Sequence, residues 1–235
     1  GATCLMVDCG FGQRETFRRL ARVGRLPEDL SGILVTHEHG DHVGGVFPFA
    51  RRYGLPVWLS YGTLMACEAA ARGVDVHIVD SCRRFHVDAL EIQPFPVPHD
   101  AREPLQFVFS DGLRHLGLLT DAGEVTPHIR DVLSGVDALI LECNHDAALM
   151  AASNYPVSLQ RRIAGRFGHL ENSVAADLLR AIDCSRLQHL VAAHLSESNN
   201  RPDLALRALA SAVDGVDLRV AVACQAEGFS WRQID

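Results

Sequence analysis

The chain is expected to form an α/β layered fold, and three features of the sequence carry that expectation. Short runs rich in β-branched residues alternate with segments of helical periodicity along its 235 residues. The stretch QFVFSDGLRHLGLL holds two apolar runs joined by Asp111-Gly112, a strong hairpin signal. With 48% hydrophobic residues, the chain can bury a sizeable core in one large domain or two closely packed halves.

Strands are expected at 2–7, 33–36, 56–59, 76–79, 105–109, 115–120, 137–142, 188–193 and 217–223, where short apolar runs are bounded by turn formers. Helices are expected at 13–23, 44–52, 62–72, 127–134, 156–165, 173–182 and 202–213. In the first, Phe17, Leu20 and Ala21 recur at helix spacing while Arg14, Arg18, Arg22 and Arg25 occupy the wet side. Thr126-Pro127 reads as an N-cap followed by Pro at the first helical position, and Arg201-Pro202 opens another helix in a similar way. No repeat, low-complexity tract or linker interrupts the pattern, so residues 1–235 are expected to form one compact domain. The chain opens abruptly inside the strand-like run ATCLMVD.

The formal net charge of -7 gives no general attraction to nucleic acid or to an anionic membrane, so a polyanionic substrate must be drawn by a local field. All 22 basic residues are arginine, the better bidentate partner for phosphate. The seven cysteines are scattered and contain no CxxC pair. That pattern argues for reduced thiols in a cytoplasm rather than a disulfide framework or a cysteine-zinc site. The chain has no apolar run of about 18 residues and no charged-then-apolar leader, so neither a membrane span nor an export signal is expected.

The stretch THEHGDH, Thr36 to His42, places three imidazoles and two carboxylates directly after the apolar run Ile33-Leu34-Val35. A packed core tolerates such a group only if something cationic neutralises it, and a metal is the obvious candidate. His37 and His39 alternate as neighbours on an extended strand end do, so both can reach one ion. Asp41 and His42 follow a glycine that permits a sharp turn and are aimed elsewhere, so two adjacent metals explain the split better than one. Further donors lie where strands run out into loops: His99 in the proline-stiffened PFPVPHDA, Asp121 ending HLGLLTD, and His194 ending HLVAAH. Taken singly, His99 and His194 also read as hydrogen-bonded loop histidines, and Asp121 as a cap of the turn TDAG. Two metals and a held water imply hydrolysis, with Asp41 orienting the nucleophile or taking its proton. An ester, amide, thioester or phosphodiester is compatible with the motif.

In these residues and their order the chain resembles the metallo-β-lactamase fold superfamily over nearly its whole length. The resemblance implies a four-layer αββα sandwich. It implies that His37, His39 and His99 hold a first ion, that Asp41, His42 and His194 hold a second, and that Asp121 bridges them; Asp41 and His194 become the candidate catalytic residues. Asp8 in MVDCG matches the family's early aspartate, which braces the metal loop through hydrogen bonds. Zinc suits such histidines, while carboxylate-bridged sites also accept manganese or iron.

Three further stretches, LECNHD, YPVSLQRRIAGRFGHLENS and HLSESNN, are similar to the branch of the superfamily that includes the YycJ and WalJ proteins, bacterial enzymes described as DNA exonucleases. The glycine-histidine element there usually reads GHLSN, and here Glu171 stands in place of the serine. Arg161, Arg162 and Arg166 are spaced to populate one or two faces of a helix, and His169 is brought close to a helix N-terminus near Asn172-Ser173 that can receive a phosphate. The same segment also reads as an amphipathic helix with Leu159, Ile163 and Phe167 buried and the arginines solvated. His145 either lines the pocket or caps the helix beginning near Asp146. Ser196, Asn199 and Asn200 bind substrate, or the asparagines at 199 and 200 cap the helix at Pro202. In that branch a strand and a Gly/Ser-rich loop precede the run LMVDCG, so the chain is clipped there or has a shortened edge. Between Asp121 and His194 there is no room for the large extra domain with which other nucleases of the superfamily clamp their substrates.

The resemblance implies a dinuclear phosphodiesterase acting on DNA from the 5′ end through a metal-bound hydroxide, with Arg161, Arg162, Arg166 and His169 holding the backbone. A small-molecule hydrolase for a cyclic phosphodiester, lactone or thioester is the first alternative. A non-catalytic metal-binding regulatory module is the second.

Overall fold

The structure, a computed structural model, describes residues 3–213 and 218–235. The chain divides into two compact units, one of residues 1–96 with 101–106, the other of residues 97–100 with 107–235.

The first unit is built on a parallel sheet ordered β1-β2-β3-β4, with β1 at Leu5–Val7, β2 at Gly32–Leu34, β3 at Val57–Ser60 and β4 at Val76–Val79. Helices α1 (Gln13–Arg22), α2 (Gly40–Val43), α3 (Val46–Tyr53) and α4 (Tyr61–Ala71) link the strands. Strand β2 is buried along its whole length, the expected state of a parallel strand with both faces covered. Ile33, Val35, Val46, Phe47, Phe49, Val57 and Leu59 form the core beside it. Gly54, at φ 66, closes α3 in the left-handed conformation, and the Ser60 hydroxyl caps α4 by accepting from the Thr63 N–H.

Two expectations are corrected here. The buried residue of α1 is Thr16, whose hydroxyl meets the Phe11 and Gly12 carbonyls and so sheds its polarity; Leu20 packs on the core, whereas Phe17 is 44% exposed and Ala21 is exposed. A hairpin of β5 (Phe85–Val87) and β6 (Leu90–Pro96) was not anticipated, because β5 has only three residues and the prolines in LEIQPFP argue against a strand.

The second unit carries β7 (Leu105–Ser110) from Phe107 on, β8 (His115–Leu119), β9 (Ala138–Glu142), β10 (His189–Ala193) and β11 (Arg219–Val222), in the order β11-β10-β9-β8-β7. Strands β7 and β8 form the expected hairpin, with Gly112 at φ 93 and the Asp111 carboxylate accepting from the Leu113 and Arg114 N–H groups. Strands β8 to β11 are parallel, so their carboxyl ends share one edge. The helices are α5 (Pro127–Leu133), α6 (Ala147–Ala151), α7 (Val157–Ile163), α8 (Asn172–Ala181) and α9 (Pro202–Ala210). Thr126 caps α5 with Pro127 at its first position, as expected. Helix α8 packs on β9, and α9 on β10 and β11, burying Leu178, Leu179 and Leu209. Residues 2 and 217 of the expected terminal strands lie outside the described residues. Among the described residues, no helix is long and apolar enough to cross a membrane.

Candidate metal centre

In the first unit the register of the sheet sets the donors. Val7 pairs with Leu34, so Asp8, the next residue, reaches the chain just beyond β2. Its Oδ1 accepts from the Thr36 N–H at 2.8 Å, and its Oδ2 accepts from the Thr36 hydroxyl and from His42 Nδ1, each at 2.8 Å. Because the Thr36 hydroxyl gives its proton to Asp8, it can only accept from His37 Nδ1, 2.9 Å away. His37 and His42 therefore each keep Nε2 as the lone-pair nitrogen, the arrangement found at metal-ligating histidines. His37 Nε2 lies 3.0 Å from His39 Nδ1, a separation that requires a proton or a cation between them.

Gly40 does not supply the anticipated sharp turn. It begins α2, in which the His39 carbonyl accepts from the N–H groups of both His42 and Val43. A single helical turn thus aims Asp41 and His42, and His42 Nε2 comes to 3.4 Å from Asp41 Oδ2. His42 is buried, whereas the Asp41 side chain is 72% exposed.

In the second unit, the pairs Leu119–Leu141 and Ala193–Glu142 bring the ends of β8, β9 and β10 side by side. Asp121, Glu142 and His194 meet there. Glu142, fully buried, collects four donors: His169 Nδ1 at 2.9 Å and His194 Nδ1 at 3.0 Å on Oε1, and the N–H groups of Ala122 at 2.9 Å and Leu170 at 3.2 Å on Oε2. Burial alone would raise its pKa, but the hydrogen bonds from His169 and His194 outweigh burial and hold the carboxyl down at about 2. His99 Nδ1 donates to the Gly168 carbonyl at 3.0 Å, leaving Nε2 facing Asp121 Oδ1 at 3.9 Å. Burial pushes the His99 imidazole below its ordinary pKa, toward the neutral form that ligates metals. His194 Nε2 stands 3.5 Å from Asp121 Oδ1, and Asp121, Glu142, His169 and His194 each offer a donor atom within 4.8 Å of the others.

Three of these residues hold strained backbones: Asp8 at φ 58, Asp121 at φ 51 and His194 at φ 56. Such conformations in non-glycine residues cluster at functional sites. Imidazoles with one nitrogen tied and the other presented, interleaved with carboxylates, are a donor chemistry that fits divalent cations.

The structure places the remaining candidates as follows. Arg162 is bonded to Asp100 at 2.7 Å and Arg166 to Glu124 at 2.7 Å, while Arg161 makes no ion pair among the described residues. Of the amphipathic reading, Leu159 and Ile163 are half-buried with the arginines exposed, but no residue of α7 is fully buried and Phe167 is 53% exposed. At the start of α8, the Asn172 N–H already donates to the His145 carbonyl, and Asn172 and Asn200 exchange amide hydrogen bonds of 2.9 Å. His145 is buried, and burial lowers its pKa; the cap of α6 is Asp146, whose Oδ1 accepts from the Leu149 N–H. Ser196 accepts from the Asn199 N–H, and the buried Asn199 amide finds no partner of its own among the described residues. Glu142 and Thr36 escaped the sequence reading. The signal for Glu142 was present: a carboxylate closing the apolar strand ALILE has to be paired.

The β-lactamase superfamily domain matches residues 3–194, and the chain belongs to that family, as a metal-dependent hydrolase of metallo-β-lactamase fold. The metallo-β-lactamase fold protein YhfI from Bacillus subtilis superposes with a TM-score of 0.74 at 18% identity, over 99% of this chain and 88% of that one, which shows the same fold. Within the family the chain falls in the YycJ/WalJ branch. It is 35% identical over 206 residues to exodeoxyribonuclease YycJ of Bacillus anthracis, covering 86% of this chain and 77% of that protein. It is 31% identical over 223 residues to exodeoxyribonuclease WalJ of Streptococcus pneumoniae, covering 93% and 83%.

Proposed function

We propose that the protein is a two-metal phosphodiesterase that degrades DNA as an exonuclease, working from the 5′ end. The observation that carries this reading is the likeness, over most of the chain, to two proteins named exodeoxyribonucleases. In this reading His37, His39 and His99 hold one divalent ion, Asp41, His42 and His194 the other, and Asp121 lies between them. Divalent zinc, manganese or iron held by these residues would supply Lewis acidity, lowering the pKa of water and polarising phosphoryl oxygens. The protein's own groups do the rest. Asp8 and Thr36 fix the rings of His37 and His42, and Glu142 fixes His194 and His169. Asp41, with its exposed carboxylate, takes the proton of the attacking water at Oδ2. His169, held through Nδ1 by Glu142, lines the path of the phosphate, and Arg161 neutralises the backbone on its way in.

A second reading, a small-molecule hydrolase, draws on one observation: Asp100 and Glu124 already neutralise Arg162 and Arg166, which weakens the local field for a polyanion. A cleavage time course separates the two. Protein loaded with Mn²⁺ or Zn²⁺ should shorten DNA oligonucleotides stepwise, with a dependence on 5′-phosphate against 5′-hydroxyl, and Asp41→Ala should abolish the cleavage. Protein shown to hold metal that leaves DNA intact but cleaves cyclic phosphodiesters or lactones would replace the first reading with the second.

A further inference from the structure

Phe167 presents a large apolar ring to solvent on a turn that is otherwise fixed from several sides. Its carbonyl accepts from the Asp100 N–H at 3.1 Å, and the next carbonyl, of Gly168, holds His99 Nδ1. The Gly168 N–H donates to Gly165 at 2.8 Å and the His169 N–H to Ile163 at 2.8 Å, which closes the turn. Gly123 lies so close that a Cβ there would collide with the Arg166 carbonyl. The ion pairs Arg162–Asp100 and Arg166–Glu124 pin both flanks. The ring is thus held out rigidly, with the Arg166 guanidinium 5.5 Å from its centroid.

Burying this ring would have been the simpler use of a phenylalanine, and the neighbouring α7, which buries none of its own residues, leaves it uncovered. Only Gly168 separates Phe167 from His169, so the ring stands next in the chain to the imidazole-bearing side of the turn. Single strands are bound by aromatic faces set among cations, because every base offers a π-face whatever its sequence. We propose that Phe167 is the stacking platform for one nucleobase next to the scissile phosphate, flanked by Arg166. The inference rests on the DNA reading given above and adds to it the group that sets the position of the strand.

The test uses the metal-loaded protein and single-stranded oligonucleotides in which successive bases from the attacked end are replaced by an abasic sugar. Wild-type protein should show a raised KM when one particular base is missing. Phe167→Ala should raise KM for the intact strand about 10- to 100-fold, the loss of one base–aromatic stack, with kcat little changed and the positional penalty gone. Phe167→Trp should restore both, and Phe167→Leu, of similar bulk without a π-face, should not. If wild-type protein degrades DNA while Phe167→Ala keeps the same KM and the same positional penalty, the stacking role is overturned and the nuclease reading stands. If metal-holding wild-type protein degrades no DNA, both are overturned.

Discussion

Replacing Glu142 by glutamine isolates the group on which the second unit's donors depend. Glutamine keeps one acceptor oxygen and puts an NH₂ where the other carboxylate oxygen stood. Whichever way the amide turns, two of the four donors on Glu142 then face a donor: either His169 and His194, or Ala122 and Leu170. Hydrogen bonds to a charged group contribute about 1.5–3 kcal/mol each, so losing two costs roughly 3–6 kcal/mol. Typical domains have about 5–15 kcal/mol in total, so the variant should fold with a much lowered urea midpoint. The pH dependence follows from the direction of the shift. The folded carboxyl is held below its usual pKa of 4.5, at about 2, so its stabilisation is complete above the usual value and is lost as pH falls toward the folded one. Urea titrations of chelated wild-type and Glu142→Gln protein should differ fully at pH 7 and converge as the pH is lowered below about 4.5. An equal midpoint at pH 7, or a gap that does not narrow in acid, refutes the reasoning.

Four further predictions follow from the same geometry. Asp41→Ala should abolish turnover yet shift the urea midpoint by no more than about 0.5 kcal/mol, because the side chain is mostly exposed; a large stability loss would show that Asp41 is structural. Asp8→Asn, which turns a carboxylate oxygen into an amide beside Thr36 and His42, should weaken metal binding about 10- to 100-fold in competition with a chromophoric chelator. Gly10→Ala should displace the metal loop, since its Cβ would collide with the Asp41 carbonyl, and should destabilise the protein by about 1–3 kcal/mol in thermal melts. Asp88→Gly should raise the melting temperature through a gain of about 0.5 kcal/mol, because Asp88 sits exposed at φ 50 in the β5–β6 turn where glycine is at ease.

That Asp121 and His194 follow the ends of apolar strands was legible in the runs HLGLLTD and HLVAAH. Which strands lie side by side was not legible. Glu142 becomes the partner of His194 only through the pairing of β9 with β10, and of His169 only through a loop 27 residues further on. The pairing of Arg162 with Asp100 spans 62 residues and that of Arg166 with Glu124 spans 42, so periodicity could place the arginines on a helix but could not show what they face. Local chemistry misled twice. Gly40 permits a turn, but the His39 carbonyl gains two hydrogen bonds when the chain coils instead. Thr16 looks polar, but the carbonyls of Phe11 and Gly12 satisfy it and free it to face inward while Phe17 stays out.

The strained residues tie fold to chemistry. A left-handed conformation costs an L-residue about 1–2 kcal/mol, less for Asp, and glycine would avoid it. Asp8, Asp121 and His194 keep it one, two and one residues beyond the ladder pairs Val7–Leu34, Leu119–Leu141 and Ala193–Glu142. At that distance the donor is anchored by the sheet rather than carried on a free loop, and the abrupt change of direction ends the strand at once. Glycine would relax the backbone and remove the side chain that the site needs: the Asp8 carboxylate takes three hydrogen bonds, and His194 Nδ1 is fixed by Glu142. Asp88, with the same backbone at an exposed hairpin tip, has no such reason and is the natural control. Strain alone therefore does not mark the site. What sets Asp8 and His194 apart from Asp88 is a side chain held by a second polar group at the carboxyl end of a parallel strand.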